Sequence, residues 1–241
     1  MLAAEELEVL VLVDDRACAP GLIPLHGLAL WLTVKFADGR RVSVLLDGGP
    51  LLQALVDNAL ELSIQLESCD LALLTLWHFH HANAVLAARG MGILRAPLAA
   101  PYLPGSGRRL RGALYSEVEG WGVRRIELGG WWREVCYVIK LEGKGLVVFV
   151  GCSIHGLSRT IRALSTINER IYAIIGGLGL SALDLLTLRD LEKLIRAKAV
   201  EIVVPLHSTG PKARDYILRR WGKALREHGI ECCGAGLKVK L

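Results

Sequence analysis

Histidine supplies most of the side chains in this sequence that could do chemistry. There are seven, and five fall in three short stretches: Trp77-His78-Phe79-His80-His81, Gly151-Cys152-Ser153-Ile154-His155-Gly156 and Pro205-Leu206-His207-Ser208-Thr209-Gly210. Each follows an apolar run that reads as a strand, as does a fourth stretch, Asp47-Gly48-Gly49. Loops at the C-terminal ends of strands are where α/β folds collect functional residues. Imidazole is the commonest transition-metal ligand, and three or four converging imidazoles hold Zn²⁺ or Fe²⁺. Three histidines crowded at one strand end favour a metal site over the plainer reading of solvated side chains.

The elements that must position these loops follow from pattern. Residues 8–13 form an apolar run with alternate β-branched positions, a buried strand ended by Asp14-Asp15. Residues 28–36 and 42–46 flank a segment with Asp38-Gly39, the signature of a hairpin. Pro50 is placed to open a helix reaching about residue 60. Residues 71–76 are another buried strand, and residues 82–88 are small and helix-compatible. A second hairpin spans 135–141 and 146–150, followed by a helix over 157–165 and a strand over 171–175. Thr187 with Asp190 resembles a capping box for a helix reaching about residue 198. A strand over 200–204 precedes a last helix over 211–228, with Ala213, Ile217, Trp221, Ala224 and Leu225 on one stripe. Antiparallel strands followed by βα units, twice over, predict an α/β (α+β) four-layer αββα sandwich as one domain over 1–241. A doubly wound parallel sheet is the rival. Residues 95–120, with three prolines and Arg108, Arg109 and Arg111, read as a surface insertion.

At 241 residues and 52% hydrophobic, the chain can bury a sizeable core, and it is neither disordered, collagenous nor coiled-coil. A formal charge of +5 suits a small anionic ligand. Nucleic acid is not indicated, because no aromatics interleave the arginine run. The six cysteines are scattered in a chain too large to need staples, which predicts a reduced, cytoplasmic setting with Cys232 and Cys233 as packing residues. The acidic start MLAAEELEV lacks the features of a signal peptide. The two uncharged windows, 17–34 and 71–88, are interrupted by prolines and glycines or by histidines, so no membrane span is expected. The glycine pairs match no phosphate-binding fingerprint, Trp131-Trp132 reads as core or interface, and a homo-oligomer is compatible with all of this.

Six motifs in order then carry a resemblance: His26-Gly27-Leu28-Ala29, Leu45-Leu46-Asp47-Gly48-Gly49, Thr75-Leu76-Trp77-His78-Phe79-His80-His81, Gly151-Cys152-Ser153-Ile154, Gly176-Gly177-Leu178-Gly179-Leu180 and His207-Ser208-Thr209-Gly210. Together they resemble the metallo-β-lactamase superfamily, in particular the archaeal and bacterial branch of dihydropterin–aminobenzene ribofuranosyl phosphate synthase-like proteins. The likeness spans nearly the whole chain and implies the αββα sandwich.

The departures from that pattern are chemically pointed. The resemblance implies a first metal site at the positions of Leu76, His78 and Ile154, two of which have no lone pair to offer. It implies a second site at His80, His81 and His207, where His80 replaces an aspartate. Gly179 stands where the family has another histidine. A degenerate dinuclear site follows, with one Zn²⁺ at most (Fe²⁺ or Mn²⁺ as alternatives, or no metal) on His80, His81 and His207. His78 could swing toward that site, and His155 is either a substitute for the ligand missing at Ile154 or a solvated neighbour. Asp47 either orients the site by hydrogen bonding or is an ordinary turn residue, and it and His78 are the expected catalytic groups. His26 borders the pocket or caps a loop. Thr209 and Gly210 offer an anion site or a plain helix cap, and the three arginines offer a phosphate grip or a solvated face. The implied activity is mononuclear metal-dependent hydrolysis of an ester, amide or phosphoester. The alternative is a metal-free protein that binds a pterin- or phosphate-like ligand, or that partners an active relative.

Overall fold

The computed structural model describes residues 2–105, 113–114, 117–180 and 184–241. Its strands are β1 (Ala3–Val13), β2 (Ala29–Phe36), β3 (Arg41–Leu46), β4 (Leu71–Leu73), β5 (Leu98–Ala99), β6 (Ala113–Leu114), β7 (Val123–Gly129), β8 (Glu134–Leu141), β9 (Gly145–Val150), β10 (Ile171–Gly176), β11 (Ile202–Pro205) and β12 (Lys238–Lys240). The α-helices are α1 (Leu52–Glu61), α2 (Phe79–Gly90), α3 (Leu157–Ser165), α4 (Leu185–Lys198) and α5 (Pro211–Glu227).

The strands run β11-β10-β9-β8-β1-β2-β3-β4-β5-β6, with β12 on β1 and β7 on β8. The two halves meet only where Ala3 and Ala4 pair in parallel with Lys140 and Leu141. Side-chain alternation shows that they stack face to face. Leu30, Leu32, Val34 and Phe36 of β2 share a central core with Val135, Tyr137, Ile139 and Leu141 of β8. The intervening Ala29 and Trp31 pack outward with Leu55 of α1 and Val85 of α2. On the other side, Cys136 and Val138 meet Leu157 and Leu164 of α3, Leu191 of α4 and Ile217 of α5. Period-two strands buried on both faces therefore give four layers. Each fully buried Leu, Val or Phe contributes about 1.5–3 kcal/mol. Tyr137 reaches the central core because its hydroxyl donates to the carbonyls of Leu74 and Ala99, at 3.1 and 3.2 Å.

Several local expectations give way to the structure. Pro50 lies two residues before α1, which starts at Leu52 after an extended Leu51. Asp184 rather than Thr187 caps α4, accepting the N–H groups of Leu186 and Thr187, because its short carboxylate reaches both. The segment read as a surface insertion contributes β5 and β6 to the sheet and the buried Leu98 and Val118 to its core; Arg108, Arg109 and Arg111 lie outside the described residues. Trp131 is 68% exposed and so is not a core residue.

The cysteines bring the largest correction. Cys18 and Cys232 form a disulfide, which overturns both the packing role of Cys232 and the reading of the cysteines as uniformly reduced. Proximity along the sequence could not reveal it, since 214 residues separate the pair. What brings them together is a bridge between Ala17 and Ala235, on which Cys18 donates its N–H to the carbonyl of Ala235 at 2.7 Å. Beside it, Arg214 and Asp14 form a fully buried ion pair at 2.6 Å, tying the start of α5 to the end of β1. Among the described residues no helix is long and apolar enough to cross a membrane.

Candidate metal centre

The loops after β1, β3, β4, β9, β10 and β11 meet at one end of the sandwich, and glycines let them approach. A Cβ on Gly27 would sit 2.7 Å from the carbonyl oxygen of His80, and one on Gly177 would sit 2.3 and 2.6 Å from the carbonyl oxygens of Gly151 and His207. The N–H of Gly48 donates to the carbonyl of His81 at 2.9 Å, locking the β3 loop onto the first turn of α2. His80 and His81 occupy that first turn, and His78 precedes it with extended backbone.

Asp47 is fully buried in a left-handed conformation, with φ of 56°. One of its carboxylate oxygens accepts the Thr75 N–H at 2.8 Å; the other accepts the Thr75 hydroxyl at 2.6 Å and faces Nδ1 of His81 at 2.8 Å. His81 is itself fully buried, and its Nε2 has no hydrogen-bond partner among the described residues. Burial opposes the imidazolium, but the Asp47 carboxylate beside it outweighs that cost and pushes the pKa up to about 10.

His207 stands opposite, its ring 5.1 Å from that of His81. Its Nδ1 lies 3.0 Å from Asp15 Oδ1, an oxygen that also faces Nδ1 of His26 at 3.0 Å. Burial outweighs the Asp15 carboxylate here and pushes the His207 pKa down to about 4. His80 lies toward the mouth, its ring 4.6 Å from His26, 4.9 Å from His78 and 5.9 Å from His207. Burial, with the neighbouring imidazoles, lowers the pKa of both His78 and His80. Trp132 stands edge-on to His78 at 5.5 Å.

Of the expected ligands, His81 and His207 converge, with His78 and His80 close beside them. Donor atoms of His81, Cys152 and His207 all lie within 4.8 Å of one another, and those of Asp15, His26 and His207 form a second such group. His80 belongs to neither group. The ring of His155 lies against Gly130, where a Cβ would come within 2.1 Å of its Nε2. Leu76 is fully buried, so nothing at that position can ligate. Gly179 could not carry the family's histidine in this backbone: its φ is 60°, and a Cβ there would lie 2.4 Å from the Ser153 carbonyl oxygen.

Asp15 and Cys152 went unnoticed in the sequence. The first was read only as the end of a strand, yet it orients His207. The second sits inside a quoted motif, where attention fell on the missing imidazole two residues later.

No family model matches the sequence, and no curated protein is significantly similar to it. Solved structures are similar in fold. The chain resembles Tm1679, a metal-dependent hydrolase of the β-lactamase superfamily, at 23% identity and a TM-score of 0.66, over 98% of this chain and 99% of that one. It is more distantly similar to the short form of human tRNase Z (11% identity, TM-score 0.47, 85% and 93% covered). A quorum-quenching N-acyl homoserine lactone hydrolase is similar at 11% identity and a TM-score of 0.43, with 85% and 93% covered.

Proposed function

We propose that this chain, which has the metallo-β-lactamase fold, is a metal-dependent hydrolase of esters, amides or phosphoesters with a single-ion centre built on His81 and His207. The observation that carries the reading is a pair of imidazoles 5.1 Å apart, each held through Nδ1 by a carboxylate: His81 by Asp47 and His207 by Asp15. Such carboxylate–histidine pairs fix the tautomer so that Nε2 presents its lone pair, and they raise ligand basicity. The donor set fits a cation: a fully buried Nε2 without a partner is costly unless something occupies the space before it. A divalent ion there would supply Lewis acidity, polarising a carbonyl or phosphoryl oxygen and easing the ionisation of water.

The chain's own residues do the rest. Asp47, itself fixed by Thr75, keeps His81 from rotating. Asp15 does the same for His207 and pairs with His26 at the mouth. His78 and His80, neutral at pH 7, stand where a proton must be taken up or delivered. The apolar side chains of Leu76 and Ile154 and the bare Gly179 leave a second ion without its donors, which supports a mononuclear centre. Zn²⁺ is the first expectation, with Fe²⁺ and Mn²⁺ as alternatives. The motif order supports the narrower kinship with the dihydropterin–aminobenzene ribofuranosyl phosphate synthase-like branch, and with it a small anionic ligand.

The test is elemental analysis of untagged protein, paired with hydrolysis of nitrophenyl esters and phosphoesters. About one ion per chain is expected, with activity lost on chelation and restored by metal. A chain that stays empty after dialysis against Zn²⁺, Fe²⁺ and Mn²⁺ overturns the reading and leaves a metal-free binding protein.

A further inference from the structure

We infer that the third donor to this centre is the thiolate of Cys152, and that Glu134 is the residue that positions it. The inference rests on the single-ion reading above.

Cys152 Sγ lies within 4.8 Å of a ring nitrogen of both His81 and His207. Since Nδ1 of each histidine is taken by a carboxylate, Nε2 is the nitrogen each has left to offer, and that of His81 is buried without a partner. The backbone of Cys152 is pinned from two sides. Its N–H, with those of Ser153 and Ile154, converges on the carboxylate of Glu134 at 2.8, 2.7 and 2.8 Å. Its carbonyl accepts the Ser208 hydroxyl at 2.7 Å, from the loop that carries His207.

Glu134 is 1% exposed and has no cationic side-chain partner among its printed bonds. Burying a carboxylate is costly, and three N–H donors from one loop are what offset it. That expense makes sense as a device for holding the loop in one conformation. Gly151 presses against Thr75, where a Cβ would lie 2.0 Å from the hydroxyl oxygen, and Ser153 has a φ of 52°. The strained turn sends the Ser153 hydroxyl to the Gly177 carbonyl at 3.1 Å and leaves the Cys152 side chain toward the histidines.

The donor lost at Ile154 is thus replaced two residues earlier by a softer one. On binding, the metal–sulfur bond replaces the S–H bond and the proton leaves to solvent. Two imidazoles and a thiolate select Zn²⁺, Co²⁺ or Cd²⁺ over Mn²⁺ and Mg²⁺.

The experiment is a Co²⁺ titration of the whole metal-free chain, followed by absorption. The wild type is expected to show, at one equivalent, visible d–d bands and a near-ultraviolet thiolate-to-cobalt band. Cys152→Ser is expected to lose the ultraviolet band and bind at least 10-fold more weakly. Glu134→Gln keeps one acceptor oxygen but turns the other into a donor facing the Ile154 N–H. It is expected to keep the band and to lose about 10–100-fold in Co²⁺ affinity at an unchanged melting temperature; should it not fold, Glu134→Asp carries the same expectation. Cobalt bound with d–d bands but no thiolate band overturns Cys152 as ligand while the histidine centre stands. No cobalt binding at all overturns the single-ion reading itself. Unaltered affinity in the Glu134 variants overturns the positioning role.

Discussion

Nδ1 of His81 lies 2.8 Å from a carboxylate oxygen of Asp47, and both side chains are inaccessible to solvent. A buried, charged acceptor on the far side of an imidazole decides which nitrogen faces the site. Asp47→Asn should therefore weaken zinc binding by about 10–100-fold. Folding should survive, because asparagine tolerates the left-handed φ of 56° at this position. Competition with a chromophoric chelator measures the loss, and a circular dichroism melt checks the fold.

The same pair shapes the pH dependence of the metal-free protein. His81 has a folded pKa of about 10 against 6.5 for a free imidazole, so the folded state holds more protons between those values. Its contribution is fully present below pH 6.5 and is lost as pH rises toward 10. His207 has the opposite shift, to about 4, so the unfolded chain binds more protons between pH 4 and 6.5. Stability falls there on acidification. Metal-free protein should melt highest near pH 6.5, each limb costing on the order of 3 kcal/mol. His81→Gln should flatten the alkaline limb and His207→Gln the acid one, as read by thermal melts from pH 4 to 10.

Restoring the histidine that the family resemblance would place at Gly179 should not restore a second metal. Gly179→His forces a side chain onto a φ of 60° with its Cβ 2.4 Å from a carbonyl oxygen. A loss of at least about 1–3 kcal/mol is expected, with metal content unchanged, measured by urea unfolding and elemental analysis.

The buried ion pair of Arg214 and Asp14 holds β1 to α5 next to Asp15. Arg214→Met leaves Asp14 charged and unpaired in the interior and should cost about 3–5 kcal/mol. Chemical denaturation at pH 7 reads it directly.

Reducing the Cys18–Cys232 disulfide, or replacing Cys18 by serine, frees a loop of 214 residues in the unfolded chain. About 2–4 kcal/mol of stability should go with it. Melts with and without reductant, on protein whose thiols have been counted, give the number.

The legibility of this protein in its sequence was uneven for physical reasons. Period-two alternation over 28–36 and 135–141 revealed strands buried on both faces, and Asp38-Gly39 revealed a hairpin, because both are local signals. His81, His207 and Asp47 were found through their place after strands. Asp15 was not, since an aspartate ending a strand is common and only tertiary structure brings it 192 residues along to His207. Cys152 was hidden by a register expectation: the family's ligand position holds isoleucine, and the donor two residues before it depends on a buried Glu134 from another strand. Long-range partners of this kind, like Cys18 and Cys232, leave no trace in spacing.

Anomalous diffraction at the zinc absorption edge, from crystals of the untagged chain grown with Zn²⁺, tests the central claim most directly. The account predicts one peak within about 2.0–2.3 Å of donor atoms on His81 and His207. Two peaks, a peak held by Asp15 and His26 instead, or none between His81 and His207 would contradict it.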